Sequence, residues 1–270
     1  VMEADYKGRH RGFNGSLALL HELAAQGFTH VADLHNVSRS WQINTWLRLH
    51  GAHVAMVDKA RRNRRKVMAG GEAQKAYIKR YMEVFERLGL SSSRDSEVSD
   101  FRAFGLSESR DSEIPGFQRP AVGIAPFARY SNKTYPLELM REVVRLLHER
   151  GVSVYLFGAR GKEAEELATW PHATSLAGQY PIEEELAIMA QLDVMVAMDS
   201  ANQHLAALTG TRVVTIWGST TPACGFTPFG QPAEHSLVAG LPCQPCTIAG
   251  SEKCRVGGLQ CMHALTPEMI

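Results

Sequence analysis

The sequence predicts an α/β protein with two doubly wound domains, of which the first is incomplete. Of its 270 residues, 44% are hydrophobic and 21% are charged, which is enough apolar surface for two cores. From residue 121 onward, short β-branched apolar runs alternate with segments whose apolar residues recur every three or four positions. Before residue 90 only two runs have strand character, too few for a stable domain of this type. We therefore expect the chain to begin inside a domain whose opening strand and helix are absent.

The first domain is predicted to span residues 1–90. Its strands are expected at 30–34 and 53–57, and its helices at 15–26, 40–49 and 72–88. Residues 91–118 are predicted to be an exposed polar linker, because they are rich in Ser, Arg, Asp and Glu. The linker region repeats Gly-Leu-Ser-x-Ser-Arg-Asp-Ser-Glu at 89–97 and 105–113, a repeat too short and polar to be a solenoid unit.

The second domain, residues 119–270, shows the alternation most clearly. Five strands are predicted, at 121–125, 152–157, 173–176, 194–197 and 212–216. Four helices are predicted between them, at 137–150, 162–169, 182–191 and 201–209. Since the strands read as continuous apolar runs, we expect a parallel sheet that is covered on both faces.

Charge and hydropathy narrow the class of protein. Twenty-nine Lys and Arg against 28 Asp and Glu leave a net charge of +1, so no global field favours nucleic acid or an anionic membrane. No apolar run is long enough for a bilayer-spanning helix, and the first ten residues lack the layout of a signal peptide. Four of the five cysteines lie within 243–261, unlike a secreted disulfide framework. We expect a soluble, cytoplasmic protein.

The sharpest motif is an apolar strand that ends in Asp199-Ser200 and leads into a helix carrying His204. A helix N-terminus after a strand presents free backbone N–H groups and the positive end of the helix dipole, which suit a phosphate. Asp199 or Ser200 would cap this helix, and His204 would project near the same end. The alternative is an ordinary N-cap with a half-buried histidine.

Two other strand ends carry polar side chains. A Gly-Ser-Thr-Thr loop follows residue 217, and the loop after the first strand of the second domain offers Arg129, Ser131 and Lys133. Because ligands in open α/β sheets bind outside the carboxyl ends of strands, these loops are expected to share a crevice with Asp199. Lys133 could hold a diphosphate as a point charge; the alternative is a solvated loop lysine.

Cys243, Cys246, Cys254 and Cys261 have C-x2-C-x7-C-x6-C spacing. Four thiolates could form a closed tetrahedral metal site, or the cysteines could be buried free or partly oxidised thiols. Both alternatives stay open. In either case we expect the cluster to be structural and remote from the ligand site.

The order of these motifs resembles glycosyltransferase family 9, the ADP-heptose:lipopolysaccharide heptosyltransferases. The resemblance rests on Pro-Phe-Ala…Lys-x-Tyr-Pro, Phe-Gly-x-x-x-x-Glu, Asp-Ser-x-x-x-His-Leu-Ala-Ala, Trp-Gly-Ser-Thr-x-Pro and Cys-x-Pro-Cys…Cys-Met. It covers residues 121–270 well, and the first part loosely through Asp33-Leu34 and Lys59-Ala-Arg-Arg. It implies the GT-B fold, with two Rossmann-like domains facing across a cleft, and inverting transfer without a metal or cofactor.

The resemblance also implies a set of donor-binding residues. Lys133 would bind the diphosphate, Glu163 the ribose or base side, and Tyr180 would lie near the adenine. Asp199, Ser200 and His204 would surround the diphosphate and sugar. The family often has Gly after the Asp-Ser pair; here the residue is Ala201, so the backbone would approach the ligand less closely.

The candidate acceptor-binding site is a basic run, residues 59–66, which has six cations in eight residues. Arg61, Arg62, Arg64 and Arg65 are expected to meet an anionic glycolipid, although charge runs are usually solvated surface. The run could also suggest nucleic-acid binding, but the sequence has no nucleic-acid-binding fold and no aromatic platform to support it.

The catalytic base that the resemblance implies is an Asp in a Gly-Asp turn, and no carboxylate in this sequence matches that motif. The base is therefore expected upstream of Val1, and no catalytic residue is assigned.

The sequence thus predicts transfer of a heptose from ADP-heptose to a lipopolysaccharide core or related glycan, with possible peripheral contact to the inner membrane. One alternative keeps the fold and changes the donor, since Lys133 and Asp199 indicate a diphosphate and not a sugar. The other is a binding protein that has lost catalysis and recognises nucleotide or glycolipid.

Overall fold

A computed structural model describes residues 2–90 and 116–270, so most of the predicted linker 91–118 and its repeat lies outside the described residues. The chain divides into two compact units, and the description of each covers only the residues in these two ranges. The first unit is Val1–Arg61 with Lys75–Ser93, and the second is Arg62–Gln74 with Arg94–Ile270. Both are α/β with parallel strands, which confirms the predicted fold class.

The first unit is built on two parallel strands, β1 (His30–Asp33) and β2 (His53–Met56), paired in the register His30 to His53. Three helices accompany them: α1 (Gly12–Ala24), α2 (Ser38–Leu49) and α4 (Tyr77–Arg87). A small core of Ala55, Val57, Val84 and Leu88 joins strand β2 to helix α4.

The turn from β1 into α2 is held by Asp33, which is buried. Its carboxylate accepts hydrogen bonds from the backbone N–H groups of His35 and Asn36 and from the side chains of Ser40 and Asn44, at 2.7–2.9 Å. Burial opposes ionisation, but these four donors outweigh it and lower the pKa of Asp33. Asp33 therefore holds the turn between β1 and α2 in place.

Helix prediction was wrong between residues 64 and 76. The predicted helix 72–88 begins only at Tyr77, since the Gln74 N–H donates to the carbonyl of Ala223 at 2.8 Å instead of entering a helix. A short helix, α3 (Arg64–Met68), instead forms inside the basic run. It has one buried residue, Val67, so the sequence shows no apolar period there.

The second unit is a six-stranded parallel sheet in the order β5-β4-β3-β6-β7-β8. The strands are β3 (Ala121–Ala125), β4 (Ser153–Leu156), β5 (Thr174–Ser175), β6 (Val194–Met198), β7 (Arg212–Trp217) and β8 (Ser236–Val238). The first five confirm the prediction to within two residues at their ends. The sixth, β8, was missed because it has three half-buried residues and no apolar run.

The helices of the second unit are α5 (Leu137–Glu149), α6 (Lys162–Leu167), α7 (Ile182–Met189), α8 (Ala201–Leu208) and α9 (Gln260–His263). Two separate groups of buried side chains pack on the sheet, one around Ile124, Leu156 and Ile216, the other around Ala125, Phe157 and Ala197. Since neighbours along β3 and β6 contribute to both groups, the sheet is buried on both faces, as its apolar runs predicted.

The strand order places a topological switch point at β3. From β3 the chain proceeds through β4 and β5 to one edge, then returns to β6 beside β3 and continues to β8 at the other edge. The loops after β3 and β6 therefore diverge, leaving a crevice at the carboxyl ends of these two strands.

None of the helices in the described part of the chain is long and apolar enough to cross a bilayer.

Candidate functional site

The switch-point crevice holds a buried ion pair. Lys133 closes a single 3-10 turn, Ser131–Lys133, after strand β3, and Asp199 follows β6. The Lys133 Nζ atom lies 2.8 Å from Asp199 Oδ2, with the two side chains 11% and 4% exposed. The alternative of a solvated loop lysine is wrong, because a later segment of the chain, at Gly250, packs against the Lys133 side chain. The predicted convergence of Lys133 and Asp199 is, by contrast, what the structure shows.

Asp199 is held by further hydrogen bonds that the motif did not predict. The Thr220 hydroxyl donates to Oδ2 at 2.6 Å, and the Gln203 side-chain amide donates to Oδ1 at 3.1 Å. Gln203 is fully buried, and its own amide oxygen, Oε1, accepts a hydrogen bond from the Thr215 hydroxyl at 3.0 Å. The carboxylate is thus fixed by one cation and two neutral donors.

Neither residue of the Asp199-Ser200 pair caps helix α8 with its side chain. Ser200 is the N-cap residue by position, but it makes no side-chain capping bond, and the Asp199 carboxylate is directed to Lys133, Thr220 and Gln203. The capping prediction is therefore wrong. Within the described part of the chain the buried Ser200 hydroxyl oxygen has no hydrogen-bond partner. The start of α8 combines an unused hydroxyl with the positive end of a helix dipole.

His204 lies one turn into α8 and reaches the surface, with its Nε2 atom 3.5 Å from the Gln203 amide nitrogen. Loss of hydration among the surrounding protein atoms lowers its pKa; the Asp199 carboxylate opposes this effect and the Lys133 ammonium reinforces it. His204 is therefore neutral at neutral pH and electrostatically coupled to both members of the ion pair.

The remaining donor-side candidates follow strands β4 and β5 or begin α8. Glu163 closes the loop after β4, which contains Gly158 and Gly161, because its Oε2 accepts from the Ala159 N–H at 2.7 Å. Tyr180 is half-buried and packs on the second core group. Ala201 is exposed as the first residue of α8. In the part of the chain that the structure describes, no hydrogen bond or ion pair links Glu163 or Tyr180 to Lys133 or Asp199, so their roles stay predictions.

Sequence reasoning missed Gln203 and Asn132, and it placed the Gly-Ser-Thr-Thr loop beside Asp199 without singling out Thr220. Gln203 stands four residues after Asp199, the spacing that lets side chains meet along a helix, and Thr220 belongs to the Gly-Ser-Thr-Thr loop. Those two signals were available. For Asn132, whose partners lie 87 and 119 residues away, no local signal exists.

The basic run is divided between the two units. Arg61 belongs to the first, whereas Arg62, Arg64 and Arg65 group with the second, although the sequence placed the whole run in the first domain. Helix α3 buries Val67 and contacts the 3-10 turn Pro222–Cys224. This turn lies two residues after Thr220 in the sequence. Arg61, Arg62 and Arg65 are exposed and Arg64 is half-buried.

The four clustered cysteines line one small pocket, together with Asn132 and Ser219. All four are free thiols. Burial, and then the neighbouring thiols, raise the pKa of Cys261 to about 11. Across residues 2–90 and 116–270, no group of three or more His, Cys, Asp or Glu side chains is arranged to hold a metal ion. The pocket reaches Asn132, the residue next to Lys133, and the expectation that the cluster is structural and remote from the ligand site stays a prediction.

Comparisons with known proteins show which family the sequence matches. The sequence model of Glycosyltransferase family 9 (heptosyltransferase) matches residues 16–256. Lipopolysaccharide heptosyltransferase 2 of Salmonella typhimurium is 30% identical over 129 residues, 44% of this chain and 35% of the relative, and the Escherichia coli protein of that name is 29% identical over the same shares. The match thus spans about a third of these relatives' length.

Solved structures show the same fold at low identity. The family 9 glycosyltransferase of Veillonella parvula has a TM-score of 0.67 at 17% identity, covering 99% of this chain and 78% of that one. The E. coli heptosyltransferase WaaC with ADP has a TM-score of 0.63 at 17% identity, covering 97% and 78%. E. coli ADP-heptose lps heptosyltransferase II has a TM-score of 0.61 at 17% identity, covering 99% and 80%. The predicted GT-B fold class is confirmed by these matches. With a family match over most of its length, this chain belongs to glycosyltransferase family 9.

Proposed function

We propose that this chain forms the donor site, and part of the acceptor site, of an enzyme that transfers a heptose from ADP-heptose to a lipopolysaccharide core, inverting the anomeric centre. The observation that carries the proposal is the Lys133–Asp199 pair at the switch-point crevice, beside the uncapped start of α8. Relatives matched by the chain are lipopolysaccharide heptosyltransferases, and WaaC has been solved with ADP and with ADP-2-deoxy-2-fluoro heptose. These names support the choice of donor and acceptor.

The arrangement suits a leaving group that gains negative charge. A lysine ammonium has three N–H donors, and the contact with Asp199 uses one, leaving two for diphosphate oxygens. The Ser200 hydroxyl and the start of α8 add donors on the same side. These groups would stabilise the departing ADP more than the intact donor, which is the condition for accelerating transfer.

Asp199 has a different role, since a carboxylate repels a diphosphate. Its link to Lys133 offsets that repulsion, and its remaining acceptor capacity suits a sugar hydroxyl. Glu163 and Tyr180 would contact the ribose and adenine from the loops after β4 and β5. No metal or cofactor enters this scheme, and a carboxylate base, to which no residue of this chain is assigned, would deprotonate the acceptor hydroxyl.

On the acceptor side, Arg61, Arg62, Arg64 and Arg65 would attract the phosphates and acidic sugars of an anionic glycolipid. Such a substrate lies in a membrane, so the enzyme would work at the cytoplasmic face of the inner membrane as a peripheral protein. Arg61, Arg62 and Arg65 are exposed, as this role requires.

Calorimetric titration of the full-length protein with ADP, UDP and GDP, followed by mass-spectrometric assay with ADP-heptose and a heptose-deficient lipopolysaccharide acceptor, tests the proposal. We expect ADP to bind most tightly and the acceptor to gain one heptose. Tighter binding of UDP or GDP would show a different donor. ADP binding without any transfer would instead support a nucleotide-binding homologue that has lost catalysis.

A further inference from the structure

The residue before Lys133, Asn132, has a buried side chain with several hydrogen bonds to distant parts of the chain. Asn132 is 1% exposed. Its Oδ1 accepts from the Ser219 hydroxyl at 2.8 Å and from the Ser251 N–H at 2.9 Å, and its Nδ2 donates to the Ser251 hydroxyl at 2.8 Å. Its main chain is tied as well, since the Ser219 N–H donates to the Asn132 carbonyl at 3.1 Å. One side chain thus joins the loops after β3 and β7 to the chain near residue 251.

That later segment, residues 246–253, is itself anchored to the loop after β7. The N–H groups of Cys246 and Thr247 both donate to the Ser219 carbonyl, at 2.9 and 3.1 Å. The Ser131 hydroxyl donates to the carbonyl of Glu252 at 2.6 Å, so the segment also holds the residue before Asn132. We call residues 246–253 the clamp segment.

The clamp segment lies directly on Lys133. Gly250 has φ +100°, and a Cβ atom there would stand 2.6 Å from Lys133 Cδ and 2.6 Å from the Tyr130 ring. Glycine is therefore required, both for this backbone conformation and for the close approach. The covered stem explains why the Lys133 side chain is only 11% exposed although it belongs to a loop.

A lysine side chain has four rotatable bonds, and fixing them costs about 1.5 to 2 kcal/mol of rotamer freedom. A site that orders its lysine before the ligand arrives avoids this cost at the time of binding. Here the Lys133 side chain is confined by Gly250, in addition to the ion pair of its ammonium group. Asn132 in turn holds the segment that contains Gly250, through its hydrogen bond with Ser251.

We propose that Asn132, acting through the clamp segment, is a positioning residue that presets Lys133 for the donor diphosphate. This inference rests on the proposed function of Lys133 in binding the donor. Asn132 itself touches no ligand; it holds the segment that confines the lysine stem.

A double-mutant cycle with ADP tests the inference. Lys133→Ala should weaken ADP binding on the order of 10- to 100-fold, and Asn132→Ala on the order of 5-fold, the equivalent of one hydrogen bond. In the Lys133→Ala background, Asn132→Ala should have no further effect on ADP affinity, because it acts through the lysine. A merely structural role would leave the two effects additive.

Ser251→Ala is the milder companion variant, since it removes one partner of Asn132 and leaves the backbone contacts, and it decides the matter if Asn132→Ala does not fold. It should show the same dependence on Lys133. Asn44→Ala is the matched control: Asn44 is 2% exposed and hydrogen-bonded in the first unit, so its loss should lower the unfolding midpoint without changing ADP affinity.

Two outcomes overturn the inference in distinguishable ways. If Lys133→Ala weakens ADP binding but the clamp variants leave it unchanged, or act equally in both backgrounds, the positioning role is wrong and the donor site stands. If Lys133→Ala leaves ADP binding unchanged, the proposed donor site is wrong and the inference falls with it.

Discussion

Lys133 differs from an ordinary loop lysine in being buried against a carboxylate. Lys133→Ala should therefore have two effects, a loss of ADP affinity and a loss of fold stability, since Asp199 is left as a buried, unpaired charge. Breaking a buried pair from one side costs about 3 to 5 kcal/mol. Thermal or urea unfolding monitored without ligand measures the second effect, and Asp199→Asn with Lys133→Ala should recover part of it. A single variant as stable as the parent would contradict the burial of the pair.

His204 predicts a pH dependence at the same site. Its pKa in the folded protein lies below the ordinary value, so the imidazole is neutral at pH 7 and the folded state loses a little stability as pH falls below about 6.5. A bound diphosphate favours the protonated ring and raises this pKa. ADP binding should accordingly take up a proton and tighten as pH falls from 7.5 to 5.5, and calorimetry in two buffers of different ionisation heat measures the uptake. His204→Gln should remove both effects; persistence of proton uptake in that variant would assign it to another group.

The exposed arginines in and next to helix α3 are expected to attract the anionic acceptor. Replacing the exposed Arg62 and Arg65 by Gln should raise the apparent KM for the anionic acceptor and leave ADP affinity unchanged. The effect should be larger at low salt, because exposed charges act over about 10 Å at physiological-range ionic strength. Steady-state kinetics at two salt concentrations give the answer. Helix α3 lies next to the turn Pro222–Cys224, which follows the loop that contains Thr220. The experiment therefore has to distinguish an acceptor role of these arginines from a donor role. A fall in ADP affinity with unchanged acceptor kinetics would move these arginines to the donor side.

At the scale of the whole molecule, all assigned donor residues belong to the second unit. ADP at 100 times its Kd should stabilise that unit by about 2.7 kcal/mol. Hydrogen exchange should then slow at amides of β3, β6 and α8, with little change at β1 and β2 of the first unit. Mass spectrometry of peptides from both units, with and without ADP, makes the comparison. Equal protection of β1 and β2 would show that the nucleotide orders both units.

The sequence alone determined the class of fold and the edge of the sheet on which the site lies. Parallel strands buried on both faces read as continuous apolar runs, so β3 to β7 could be located from composition and period. Because carboxyl ends of parallel strands share an edge, Lys133 and Asp199 could be brought together across 65 intervening positions. Both inferences use local patterns that repeat along each element.

Only the tertiary structure decided how the site is built. The burial of Lys133, the partners of Asp199, the uncapped Ser200 and the placement of α3 with the second unit all depend on segments distant in the chain. Asn132 is the extreme case, since its partner Ser251 is 119 residues away. Hydrophobic periodicity reports which face of an element is buried, but a hydrogen bond between two loops leaves no periodic trace in either loop. Those contacts exist only once the sheet has brought the loops to one edge.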